Sequence, residues 1–239
     1  MLMKLNADVG EGMDDESLFR WIDMANVACG AHAGGYEEMA KAVELAVSYG
    51  VAVGAHPGYP DRDGFGRKSM NLSMGEIADL IIEQVESLDD ICRNLGTRVQ
   101  YIKPHGALYH DMMNQRGVYE AILCATAQMS EPRALMIMAR VEDKVDRDLA
   151  MSHEVALLFE AFADRAYTAG GALMARSEQG AVFSDASAMV EQVLQLTRDG
   201  SITSHCGERI AITADSICVH GDNQVAIEAA KQIHMALRV

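Results

Sequence analysis

The sequence predicts an α/β protein built as a closed parallel barrel, and three observations carry that expectation. Seven short apolar runs alternate with longer stretches of helical periodicity from end to end, the pattern of repeated βα units and a parallel sheet. Strand after strand ends in function-capable residues: Asp8 and Glu11, Asn26 and His32, His56, Lys103 and His105, Glu160 and Asp164, His220 and Asp222. A barrel gathers function after most of its strands, whereas an open sheet gathers it at one switch point behind a Gly-rich loop. Finally, no composition shift or linker interrupts the 239 residues, so 1–239 are expected to form one barrel domain.

The expected strands, in order, are 3–9, 26–29, 51–55, 99–103, 134–138, 154–159 and 216–219. Helices are expected near 15–24, 36–49, 74–95, 111–128, 140–150, 185–199 and 223–237. The helix at 74–95 has the fullest signal. Ser73 and Glu76 have capping-box spacing, while Ile77, Ile81, Val85, Leu88, Cys92 and Leu95 recur every three or four residues. Gly96 stands where a left-handed cap would fall, and Gly50 and Gly200 close their helices in the same way. The stretch 160–183 is long and Gly-rich, the mark of a functional loop.

Composition narrows the function. Apolar residues make up 49% and charged residues 23%, an ordinary globular mix in which about 70% of the unfolded chain's surface can be buried. The net charge is −15, which argues against nucleic acid and anionic membrane surfaces as partners. Five widely spaced cysteines without a CxxC pair read as reduced thiols of a cytoplasmic protein. The N-terminus turns polar too early for a signal-peptide core, and no apolar run reaches membrane-spanning length.

The chemistry-bearing segments follow the strands. NADVGEG (6–12) sets Asn6, Asp8 and Glu11 among glycines, where a carboxylate can bind metal, orient water or take a proton. CGAHAGG (29–35) and GAHPGYPD (54–61) place His32 and His56 in matching positions, and with Asp8 they would make a two-His, one-carboxylate metal site. DGFGRK (63–68) lacks the GxxxxGK[ST] order of a phosphate-binding loop, although Arg67 can still meet an anion. In IKPHGALYH (102–110), Lys103 has the choice of neutralising an anionic substrate or pairing with a carboxylate such as Asp8, and His105 can move a proton. The 160–182 segment adds Asp164, Arg165 and Arg176, and VHGDN (219–223) adds His220, Asp222 and Asn223. No GxSxG, HExxH or papain-type Cys context selects a covalent nucleophile.

Taken together, NADVGEG, NVACGAHAGG, GVAVGAHPGYPD, GFGRK, KPHGALYH, EAFADRAYTAGGAL–ARSEQGAV and CVHGDN resemble, in order and spacing, the LamB/YcsF family over nearly the whole chain. The resemblance implies an irregular seven-stranded (β/α) TIM-like barrel related to polysaccharide deacetylases. It also implies the A component of an ATP-dependent 5-oxoprolinase, which hydrolyses 5-oxo-L-proline to L-glutamate while ATP becomes ADP and phosphate. Subunits B and C would be the partners, ATP with Mg2+ a co-substrate shared with them, and a homo-oligomer is left open. Position by position, the family's polar residues match Asn6, Asp8, Glu11, Asn26, His32 and His56, then Asp61, Arg67, Lys103, His105 and Tyr109. Asp164, Arg165, Arg176, His220, Asp222 and Asn223 complete the match. Asp8, Glu11, His32, His56, Lys103 and His105 would carry the chemistry. Asn6, Asn26, Arg67, Tyr109, Arg165, Arg176, His220 and Asp222 would bind substrate.

Departures border this set. Ala31 and Gly35 stand where the family usually has Phe and Asp, Lys68 replaces an Arg, and the 13–25 segment is shorter than usual. Two other readings therefore stay open: a stand-alone metal-dependent amide hydrolase or deacetylase, and a non-catalytic subunit of such a complex.

Overall fold

The computed structural model describes residues 3–13, 15–220 and 224–238. In chain order it forms β1 (Lys4–Val9), α1 (Glu16–Phe19), β2 (Met24–Ala28), α2 (Tyr36–Tyr49), β3 (Ala52–His56), α3 (Met74–Asn94) and β4 (Tyr101–Ile102). There follow α4 (Gly106–Asn114), α5 (Arg116–Gln128), β5 (Ala134–Met138), α6 (Lys144–Ser152) and β6 (Leu157–Phe162). The chain ends with α7 (Ala186–Asp199), β7 (Ser201–Thr203), β8 (Arg209–Ala211), β9 (Ser216–Cys218) and α8 (Gln224–Ala236). Strands β1 to β6 pair in sequence, and β9 closes the ring between β6 and β1, so seven parallel strands make a closed barrel. The expected fold class holds.

Local signals explain the elements that fall where expected. The Ser73 hydroxyl accepts from the Glu76 N–H at 3.3 Å, and the Glu76 carboxylate accepts from the Ser73 N–H at 2.8 Å, a complete capping box on α3. Gly50 and Gly200 cap α2 and α7 in the left-handed region, at φ 67° and 60°. Where tertiary pairing outweighs propensity, the elements move. The helix expected over 15–24 shrinks to α1, because Met24 already pairs with Asn6 and Ala52 in the barrel. The single helix expected over 111–128 is two, separated at Gln115, whose backbone is extended. The sixth strand lies three residues later than expected, over 157–162, which carries Glu160 inside the sheet. The β7–β8 hairpin, antiparallel and outside the barrel, has no counterpart among the expected strands.

Two tiers fill the barrel. The lower tier is apolar: Met24, Tyr101 and Met136 pack together, with Leu158 against them. Gly54 makes room for the Tyr101 ring, since a Cβ there would lie 2.2 Å from it. The upper tier is polar. Buried Asn6, Asn26 and Glu160 come from the middle of β1, β2 and β6, Ser216 from the start of β9, and Lys103 from just past the end of β4, where the loops after the strands form the mouth. Among the described residues no helix is long and apolar enough to cross a membrane.

Candidate active site

The polar tier is one hydrogen-bonded network rising from Tyr101 to the cavity. The Tyr101 hydroxyl donates to Asn26 Oδ1 at 2.6 Å. Asn26 Nδ2 donates to Asn6 Oδ1 and Asp8 Oδ1, both at 2.8 Å, and Asn6 Nδ2 donates to Ser216 Oγ at 3.0 Å. Asn6 and Asn26 are fully enclosed under the site, so they position Asp8 in place of the substrate binding expected of them. A buried amide that meets its partners in this way fixes the geometry of the groups above it.

Lys103 is the hub. Its Nζ lies 3.0 Å from Asp8 Oδ1, 3.2 Å from Glu160 Oε2 and 3.2 Å from Cys218 Sγ. Burial alone would pull its pKa down, but Asp8, Cys218 and Glu160 outweigh that and hold the ammonium charged. Of the two roles open to Lys103, the structure shows the carboxylate pair. Burial alone would likewise raise the Asp8 carboxyl, yet His56, Lys103 and His220 hold it well below the usual carboxylate range.

Three histidines form the adjoining wall. His32 and His105 stack with ring centroids 3.7 Å apart, and His56 stands nearly perpendicular to both. His32 Nε2 is 3.1 Å from Glu11 Oε1, and His105 Nδ1 is 3.0 Å from His56 Nε2. Burial, reinforced by the neighbouring His56, pushes the pKa values of His32 and His105 down to about 3, so both rings are neutral. Burial raises the Glu11 carboxyl, and the charge of Asp8 adds to that rise. The cluster is possible because Gly58 and Gly66 lack side chains: a Cβ would lie 2.7 Å from His32 Nδ1 at Gly58 and 2.8 Å from His32 Cβ at Gly66.

The opposite wall comes from the 163–185 segment and the end of β9. His220 Nδ1 donates to Asp164 Oδ2 at 2.7 Å, while its Nε2 faces Asp8 Oδ2 at 3.9 Å and accepts from Arg176 at 3.1 Å. Burial would depress His220, but Asp164 outweighs it and raises the imidazole pKa. Arg165 spends two donors on the carbonyls of Ala181 and Met174, at 3.3 and 2.6 Å. It fastens the segment while also lining the cavity. Tyr109 faces the cavity from α4 with its hydroxyl buried beside Glu160. Arg67 lies exposed at the rim over the Phe65 ring, 5.2 Å from its centroid.

The resulting cavity, about 1320 Å³, is lined by Asp8, Glu11, His56, Lys103, His105, Arg165, Arg176 and His220, among others. His32 stands behind its wall. The expected metal trio of Asp8, His32 and His56 does not assemble. Glu11, His32, His56 and His105 bring ligand atoms within 4.8 Å of one another, whereas Asp8 groups with Cys218 and His220. Asp222 and Asn223 lie outside the described residues. The site residues named from the sequence omit Arg140, Phe162 and Cys218. Arg140 follows β5 as the other site residues follow their strands, a signal that the sequence does carry. Phe162 and Cys218 come from apolar strand runs that carry none.

Comparisons with known proteins cover the chain end to end. A 5-oxoprolinase A subunit from Vibrio cholerae is 42% identical over 241 residues, spanning 98% of this chain and 97% of its own. A 5-oxoprolinase A subunit from Pseudomonas aeruginosa, numbered 3 in that organism, is 43% identical over 239 residues, spanning 98% of this chain and 95% of its own. The crystal structure of a lactam utilization protein from Thermus thermophilus superposes with a TM-score of 0.92 at 33% identity, covering 100% of this chain and 96% of that one. The LamB/YcsF family matches residues 3–239, and the chain belongs to that family.

Proposed function

We propose that this chain is the A component of an ATP-dependent 5-oxoprolinase, working with subunits B and C in the cytoplasm. It binds 5-oxo-L-proline in the barrel mouth and takes part in opening the ring to L-glutamate while ATP is hydrolysed to ADP and phosphate. The observation that carries the reading is the Asp164–His220 pair aimed at Asp8 across a cavity with an arginine rim, in a chain whose relatives are named for this activity.

The chemistry of a lactam matches those groups. A five-membered amide is a poor electrophile, and transfer of phosphate to its oxygen activates the carbon toward water. The lactam oxygen takes the terminal phosphoryl group of ATP and releases ADP; one water then breaks the ring C–N bond, and a second hydrolyses the resulting acyl phosphate to glutamate and phosphate. A base must take a proton from the attacking water, and an acid must deliver one to the departing nitrogen. His220 suits both steps because Asp164 fixes its Nδ1–H and its Nε2 faces the cavity, where it accepts from the exposed, cavity-lining Arg176 at 3.1 Å. Arg67, Arg140 and Arg176 supply positive charge for the carboxylate and the phosphate. The cavity exceeds the roughly 300–1,000 Å³ of common small-ligand sites, which leaves room for an activated lactam. ATP with Mg2+ would be shared with the partner subunits.

The test is reconstitution with candidate B and C subunits. Glutamate release from 5-oxoproline that requires both ATP and this chain supports the reading, and its absence where a related complex is active removes it. A second reading, a metal-dependent amide hydrolase, is favoured by one observation, the Glu11, His32, His56 and His105 cluster. A divalent ion held there would polarise an amide carbonyl, and hydrolysis without ATP would select this reading.

A further inference from the structure

His56 and His105 meet in a way that two neutral rings do not satisfy. His56 Nδ1 lies 2.7 Å from the Lys103 carbonyl, and His105 Nε2 lies 2.9 Å from the Phe65 carbonyl. A carbonyl oxygen only accepts, so both outer nitrogens carry hydrogen. Neutral imidazole has a single N–H, which leaves lone pairs on His56 Nε2 and His105 Nδ1, facing each other at 3.0 Å. A cation between the two nitrogens removes that repulsion, either a proton on His56 Nε2, which also lies 3.4 Å from Asp8 Oδ2, or a metal ion held by both rings. Glu11 supplies the counter-charge, with Oε1 3.5 Å from His105 Nδ1. All three side chains line the cavity.

We infer that Glu11, His56 and His105 bind one divalent metal ion, zinc by the chemistry of the donors, with a coordination position open to the cavity. Two His and one Glu with an open position is a donor set that catalytic zinc uses. With bonds of about 2.0–2.2 Å, tetrahedral donors stand about 3.3–3.5 Å apart. The separations of 3.0 and 3.5 Å found here bracket that range. The outer nitrogens bonded to backbone carbonyls are the arrangement that fixes tautomer and orientation in metal-bound histidine.

His32 is a supporting group and not a ligand. Its ring is parallel to that of His105 within 1°, with centroids 3.7 Å apart. A ring nitrogen binds metal in the plane of its ring, and two parallel, separated planes share no point at which one ion could satisfy both. His32 instead donates from Nε2 to Glu11 Oε1 and holds the carboxylate in place. The inference stands on this geometry and does not rest on the substrate assignment.

The test uses untagged protein stripped with a chelator. Calorimetry with zinc is expected to show one equivalent bound per chain. In histidine labelled with nitrogen-15, zinc should shift His56 Nε2 and His105 Nδ1 while His32 keeps its Nε2–H form. Loss of an outer-sphere partner costs about 10–100-fold in metal affinity, so His32→Gln should fall within that range and Glu11→Gln should exceed it. Melting of the metal-free variants checks their folding, and the labelled wild type needs no variant. Absence of stoichiometric uptake, with a proton shared between His56 and His105, overturns the proposal. So does undiminished binding by folded Glu11→Gln, or direct ligation by His32.

Discussion

The barrel mouth has an inner tier and a rim, and they are built on different principles. Inner groups such as Asp8, His56, Lys103 and Glu160 sit within strands or just beyond their ends and are at most 9% exposed. Rigid strands deliver them, and their charges compensate one another. The rim is exposed and cationic: Arg67 and Arg176 are in solvent, Arg140 and His220 are half-buried, and the 163–185 segment supports much of it. Low dielectric makes an unmet charge costly inside, so the inner tier places each charged group beside a partner. Solvent makes a rim charge inexpensive to display and able to adjust to a ligand. On the proposed function, the interior and the boundary would set geometry and handle protons, and the rim would recognise anions.

Breaking the boundary should have the largest effect. Asp164→Asn removes the carboxylate charge and the acceptor-only partner that fix the His220 tautomer, and a positioned acid–base group is worth about 10²–10⁴-fold in rate. Turnover of the reconstituted assembly should drop by about 100-fold or more while the melting temperature changes little. Next comes the inner tier. Lys103→Met leaves Asp8 and Glu160 buried against each other, and breaking a buried pair costs about 3–5 kcal/mol. In a domain of this size that lowers the melting midpoint by on the order of 10 °C. An unchanged midpoint would show that Lys103 is not the hub of the network.

A smaller effect is expected at Gly58. A Cβ there meets His32 Nδ1 at 2.7 Å and His105 Cβ at 3.3 Å. Gly58→Ala should therefore cost about 1–3 kcal/mol through overpacking, measured by denaturant unfolding. An undisturbed variant would mean that the histidine wall yields more readily than its stacking suggests.

The mildest perturbation is pH. Asp164 is held below its ordinary pKa because His220 outweighs the effect of burial, and His220 is raised because Asp164 outweighs it. The stabilisation from Asp164 is present above its ordinary value of 3.8 and fades as pH falls through its lower folded value. The stabilisation from His220 is complete below its ordinary value of 6.5 and fades as pH rises through its higher folded value. The pair is strongest between those ordinary values. An NMR titration should show the His220 pKa falling in Asp164→Asn. If it stays in place, the raised value has another source.

The two tiers are not equally legible in the sequence. Asp8, His56 and Lys103 can be read because a polar residue ending an apolar run is visible, and parallel strands deliver their ends to one face. The partner of Lys103 is only half visible. Asp8 stands out in its motif, but Glu160 reads as lying just past its strand because the run 154–159 gives no sign that pairing starts at Leu157. Tertiary pairing sets that register. The metal trio fails for a similar reason, since spacing along the chain does not reveal that His32 stacks on His105 and turns toward Glu11. Arg165 is visible as a charge, while its attachment to the carbonyls of Met174 and Ala181 depends on how the segment closes on itself.

The most direct test of the division is one kinetic comparison in the reconstituted assembly, with glutamate formation followed over a range of 5-oxoproline concentrations. His220→Gln removes the proton carrier at the boundary, and Arg67→Gln removes a rim cation whose bond to a charged group is worth about 1.5–3 kcal/mol. In His220→Gln kcat should collapse with KM nearly unchanged, and in Arg67→Gln KM should rise about 10-fold or more with kcat largely kept. Equal effects on both constants in both variants, or a KM change confined to His220→Gln, would contradict the division.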